Sequence, residues 1–176
     1  FGASLGLFGA FYNKTLLFSQ RLYAKLPLSQ PVKMMIPFAF AGLFGLFLPQ
    51  VLGGGHGMIE SLLHGEYALG LIVLLLVGKF IFSMISYGSG APGGIFFPLL
   101  VLGSLSGALF GQLAIHLSVV PSAYAVNFML LGMAGMFTAI VRAPLTGIIL
   151  IVEMSGSLTQ LLSLSLVSIC AYLVAD

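Results

Sequence analysis

Between Leu69 and Ser86 the sequence reads LGLIVLLLVGKFIFSMIS, with Lys79 as its one charged residue. In a helix rising about 1.5 Å per residue, such a run comes close to the ~30 Å hydrocarbon core of a bilayer. Lipid offers no hydrogen-bond partners, so a chain crossing it must satisfy its own backbone, and a single segment does that only as a helix. Comparable apolar runs recur along the 176 residues, which are 60% hydrophobic and 6% charged, with six basic and four acidic residues. An ordinary soluble domain has roughly 25% charged residues. The sequence therefore predicts an all-α, polytopic integral membrane protein. Its net charge of +2 is too small to argue for nucleic acid, and the single cysteine, Cys170, excludes an internal disulfide.

Glycine, proline and charge punctuation divides the chain into eight expected helical pieces, at 2–26, 32–48, 58–63, 69–86, 95–117, 128–141, 145–154 and 158–174. Their lengths are uneven. The piece from 145 covers only about half a bilayer, which calls for tilted, re-entrant or protein-covered helices. Lys14, Arg21, Lys25 and Lys33 surround the join between the first two pieces, which places that join in the cytoplasm and GGGHG, residues 53–57, near the external face. Glycines at helical spacing, as at Gly103, Gly107, Gly111, Gly132 and Gly135, read as close helix packing. The chain opens at Phe1 without a methionine and stops at Asp176 after an apolar run, which reads as a piece of a longer polypeptide.

One stretch contradicts the rest. GSGAPGGIFFPLL, residues 88–100, puts four glycines and two prolines into a strongly apolar region. A backbone break at membrane depth exposes amides and carbonyls that cost several kcal/mol each unless something satisfies them. A helix expected to begin at Ile95 turns the amides of Ile95, Phe96 and Phe97 back into the gap, while Pro98 has no amide hydrogen to place there. The helix start adds about half a positive charge. With no lysine or arginine in the stretch, this reads as a main-chain anion site that can also release its ion. A glycine-rich hinge is the plainer alternative.

GSGAPGGIFFP resembles the filter motif in the second half of the CLC chloride channel and chloride/proton exchanger family, with the core G-x-F-x-P at Gly94, Ile95, Phe96, Phe97 and Pro98. GGGHGMIESLLHG, LVLGSLSGALFGQL and MAGMFTAIVRAPLTGIILIVEMSG extend the likeness over nearly the whole chain. The resemblance implies that 1–176 is the second-repeat portion of a CLC-type inverted-repeat domain. It implies chloride, or a similar small monovalent anion, as transported ligand, with no cofactor, and either passive conduction or exchange against protons. Backbone amides of Ile95, Phe96 and Phe97 would line the anion sites, with Gly93, Gly94 and Pro98 completing the filter. The implied partners are membrane lipid, the first repeat of the same polypeptide, and a second copy docked through the last two helices. The family's first-half serine motif, its gating and proton-transfer glutamates and its pore tyrosine have no counterpart here, and Ser89 does not stand in for that serine. The resemblance favours a plasma or bacterial inner membrane.

Other polar residues read more plainly. Glu153 suggests a structural pairing, and Arg142 a guanidinium satisfying helix-end carbonyls or, alternatively, drawing anions toward a vestibule. Lys79 is expected to snorkel or to meet a buried acid. His56, Glu60 and His64 have the spacing of a metal grip, but the neighbouring glycines argue that the helix excludes His56 and that the three form an exposed rim; no metal is assigned. His116 reads as interfacial. The histidines fall toward segment ends and no acid dyad is present, which argues against an enzyme. A non-transporting structural subunit is the alternative function.

Overall fold

The computed structural model of the chain describes residues 1–63 and 67–176. Among these are eight α-helices: α1 Gly2–Lys25, α2 Gln30–Phe47, α3 His56–Leu63, α4 Leu69–Gly88, α5 Phe96–His116, α6 Ala125–Val141, α7 Pro144–Ser155 and α8 Leu161–Val174, with 3₁₀ turns at Pro49–Val51 and Ser122–Tyr124. The fold is all-α and polytopic, as the apolar runs require. Four helical segments are long and apolar enough to cross a membrane: Gln30–Phe47, Leu69–Gly88, Phe96–His116 and Ser122–Val141.

At the centre lies α6, where residues 132–139 are buried without interruption. Small residues make that possible. A Cβ on Gly103 would strike the backbone of Gly132 and Met133, and one on Gly107 that of Phe128 and Met129. The paired numbers run in opposite senses, so α5 and α6 cross antiparallel with main chains nearly touching. On the other side of α6, Gly9 of α1 meets Ala139 and Gly135 meets Leu5. Gly2 and Gly6 of α1 bring α8 close at Cys170 and Ala171. Burial of Leu100, Met133, Phe137, Ile148, Ile151 and Leu164 ties α5, α6, α7 and α8 into one cluster. The glycine spacing in the sequence therefore marks real helix crossings.

Two expectations about helices change. His56 is the first residue of α3, because the chain turns before it: Gly53 and Gly55 take φ of 68° and 88°, and the Ile59 amide already donates to the Gly55 carbonyl. In that conformation Gly55 also lets the loop lie against Val101, which a Cβ would strike. His64 lies outside the described residues. Glu153 is exposed near the C-terminal end of α7 and forms no ion pair among the described residues. The expected pairing is not formed among the described residues.

Candidate anion site

The break between α4 and α5 is bonded on one side and open on the other. At the end of α4 the Ser89 hydroxyl donates to the Ser86 carbonyl and accepts from the Ala91 amide, at 2.7 and 3.2 Å. Gln30, opening α2, donates its side-chain amide to the Ser89 carbonyl at 3.1 Å. Gly90 takes the left-handed φ of 75° that lets the chain turn there. Beyond Pro92 this support stops. The amides of Gly93, Gly94, Ile95 and Phe96 have no acceptor among the described residues, and the first bond of α5 runs from the Leu99 amide to the Ile95 carbonyl at 3.2 Å. Ile95 sits at the cap without a side-chain cap, and Pro98 occupies the first turn. Consecutive donors thus end at a helix start carrying partial positive charge.

Gly94 is in the filter stretch for its lack of a side chain. Its φ is not in the left-handed region, and a Cβ there would meet nothing within 4 Å. It is not a position that only glycine can adopt, and its importance is the open space it leaves. That space belongs to a cavity of about 350 Å³, which Gly93, Gly94, Phe97 and Pro98 line together with Gly53, Gly54 and the α4 residues Lys79, Ser83 and Tyr87. The two phenylalanines divide the work. Phe96 turns inward, edge-on to Phe137 of α6 at 5.7 Å, whereas Phe97 is 36% exposed at the cavity wall.

Lys79 overturns two expectations. It is 1% exposed and donates to the carbonyls of Val51 and Gly53, both at 2.8 Å. It neither snorkels to the interface nor meets an acid, because the 3₁₀ turn and the glycine loop bring carbonyls to it. A cation does therefore border the filter stretch, supplied by the preceding helix and facing the same cavity. Ser83, one turn on, donates back to the Lys79 carbonyl at 2.7 Å. Ser83 and Tyr87 escape sequence reading because the helix is apolar by composition, and only their i+4 and i+8 spacing from Lys79 marks a polar stripe.

Arg142 sits elsewhere, at the corner between α6 and α7. Its guanidinium donates to the Tyr172 carbonyl at 2.8 Å, pairs with Asp176 and lies 4.3 Å over the Tyr172 ring. This is the carbonyl-satisfying role. No group of three metal-ligating side chains is gathered among the described residues.

The family model described as voltage gated chloride channel matches residues 1–176. The chain belongs to that family. It is 38% identical to the H(+)/Cl(-) exchange transporter ClcA of Vibrio campbellii and 34% identical to that of Klebsiella pneumoniae, in each case over 99% of this chain and 38% of the relative. The crystal structure of a slow cyanobacterial Cl−/H+ antiporter superposes with a TM-score of 0.90 at 28% identity, covering 99% of this chain and 41% of that one. The chain thus spans well under half the length of the family members it matches, and the resemblance carried by the filter motif is to the family that the whole chain supports.

Proposed function

We propose that this chain is the second-repeat part of a transporter that moves chloride, or a similar small monovalent anion, across a membrane. The observation that carries the reading is the run of amides from Gly93 to Phe96 without acceptors among the described residues, beside a cavity that Gly93, Gly94 and a buried ammonium border. Backbone donors at a helix start can replace part of an ion's hydration shell without holding it by a full opposite charge. Ile95, Phe96 and Phe97 supply the anion-binding amides, Gly93, Gly94 and Pro98 shape the filter, and the missing first repeat of the same polypeptide completes the coordination. In the orientation given by the basic residues around the α1–α2 join, the cavity is the external vestibule, since it includes Gly53 and Gly54.

Exchange against protons is the mode that the relatives' names support, and their bacterial sources support the inner membrane. A second copy docks through α7 and α8, which leave Leu145, Ile149, Leu162, Leu166, Ile169 and Leu173 exposed, Leu162 by 74%. No cofactor is assigned.

The test uses the full-length protein in liposomes. Chloride efflux is expected, with a reversal potential that shifts under a proton gradient; a potential that ignores pH excludes coupled exchange. Absence of any chloride flux or binding in well-folded protein sinks the reading in favour of a structural subunit. Single cysteines along 161–173 should give symmetric cross-links in membranes if the dimer face is right.

A further inference from the structure

We infer that Tyr87 is a positioning residue of the filter, whose hydroxyl caps the Gly94 carbonyl and so fixes the direction of the Ile95 amide. The inference rests on the anion site proposed above.

The Tyr87 hydroxyl donates to the Gly94 carbonyl at 2.8 Å, and Tyr87 lines the same cavity as Gly93, Gly94 and Phe97. Every peptide bond among the described residues is trans, so the Ile95 N–H points antiparallel to the carbonyl that Tyr87 holds. Fixing one end of that plane fixes the other. Without the bond, little else would fix it. Gly93 and Gly94 carry no Cβ, and a Cβ on Gly94 would meet nothing within 4 Å. Nearby supports end before them, at Ser89 and Ala91. A peptide between a glycine and a helix cap can therefore rotate, leaving its oxygen uncapped as a negative dipole beside the anion site and turning the Ile95 amide out of its direction.

Tyr87 has the right chemistry for this task. Its one hydroxyl proton is committed to the carbonyl, which makes the residue an orienter of the main chain and not a direct ligand. Placement on α4 makes it rigid, because Met84 of α4 is packed in one buried cluster with Tyr12 of α1 and Leu99 and Leu102 of α5. A donor direction held in advance needs no reorganisation when the ion arrives.

The experiment compares Tyr87→Phe, Ser19→Ala and Gly94→Val in the full-length protein, measuring chloride and nitrate binding by calorimetry and thermal unfolding in parallel. Tyr87→Phe keeps the ring and deletes only the hydroxyl. It should weaken chloride about fivefold, the ratio expected from the net contribution of one neutral hydrogen bond, and change the chloride-to-nitrate ratio by about twofold or more, since selectivity is a difference of two affinities. Ser19→Ala removes an equivalent hydroxyl-to-carbonyl bond, to Met84 of α4 away from the filter, and should leave that ratio unchanged. If Tyr87→Phe binds both anions as wild type while Gly94→Val loses chloride, the positioning role is wrong and the anion site stands. If Ser19→Ala shifts the ratio as much as Tyr87→Phe, the effect is general helix support and the inference also fails. Should Gly94→Val bind chloride normally, the underlying site is wrong and the role of Tyr87 falls with it.

Discussion

The chain interrupts its helices twice in similar ways, at 89–95 between α4 and α5 and at 142–143 between α6 and α7, and the two breaks end differently. Each has a residue in the left-handed region, Gly90 at φ 75° and Arg142 at φ 64°, and each is followed by a helix with a proline in its first turn. At the second break the end of α6 and the Arg142 side chain are bonded. The Arg142 amide donates to the Thr138 carbonyl at 2.9 Å, the Ala143 carbonyl accepts from Gly147, and the guanidinium reaches over to the end of α8. At the first, the amides of Gly93 to Phe96 have no acceptor among the described residues, and Gly93 and Gly94 line a cavity. The first amides of α7, at Leu145 and Thr146, have no acceptor among the described residues either, so what sets the first break apart is the cavity that Gly93, Gly94 and Tyr87 line.

Substitutions can break this contrast or sharpen it. The largest expected effect is at the open break: Gly94→Val puts an isopropyl group into the empty space beside the proposed site and should weaken chloride binding more than tenfold, about 1.4 kcal/mol or above by calorimetry. Ala143→Val at the closed break should not change that affinity. Lys79→Met comes next. It removes the donors held by the Val51 and Gly53 carbonyls together with a buried charge, and should destabilise the full-length protein by about 1–3 kcal/mol while slowing chloride uptake into liposomes. Unchanged stability with normal uptake would detach Lys79 from the site.

Gly90→Ala should cost about 1–2 kcal/mol of stability, because the left-handed φ suits glycine and not alanine. Calorimetric chloride affinity should hold, since Gly90 lies on the bonded side of the break; a large loss would show that the two sides are not separate. The smallest effect belongs to Arg142→Gln. Its ion pair is partly exposed and worth less than about 1 kcal/mol, so thermal unfolding should shift slightly and chloride binding not at all. A binding loss there would restore the reading of Arg142 as an anion attractor.

Periodicity and composition carried most of the fold, because in lipid an apolar run has to be a helix and glycine spacing has to mean contact. Observed boundaries for α4 and α8 differ from the expected ones by two or three residues, which is capping detail. The interruption between α4 and α5 was legible too, in the glycines and prolines of residues 88–98. What escaped was whatever depends on a partner far along the chain. Lys79 is held by carbonyls of Val51 and Gly53, on a loop more than twenty residues away, and nothing in an apolar helix announces that. Likewise, which of the glycines needs its freedom is a matter of φ: the residue in the left-handed region is Gly90, and Gly94 matters for the space it leaves.

The shortness of α7 and α8 bears on how the protein is made. With 12 and 14 residues, they reach only about 18 and 21 Å along their axes, and neither satisfies the ~30 Å thickness that a helix released singly into lipid must match. Their joining loop and the two-residue corner after α6 would sit at hydrocarbon depth if each were inserted by turn. Packing of α7 against α6 and α8 therefore has to accompany its insertion, because alone it would leave its ends at hydrocarbon depth.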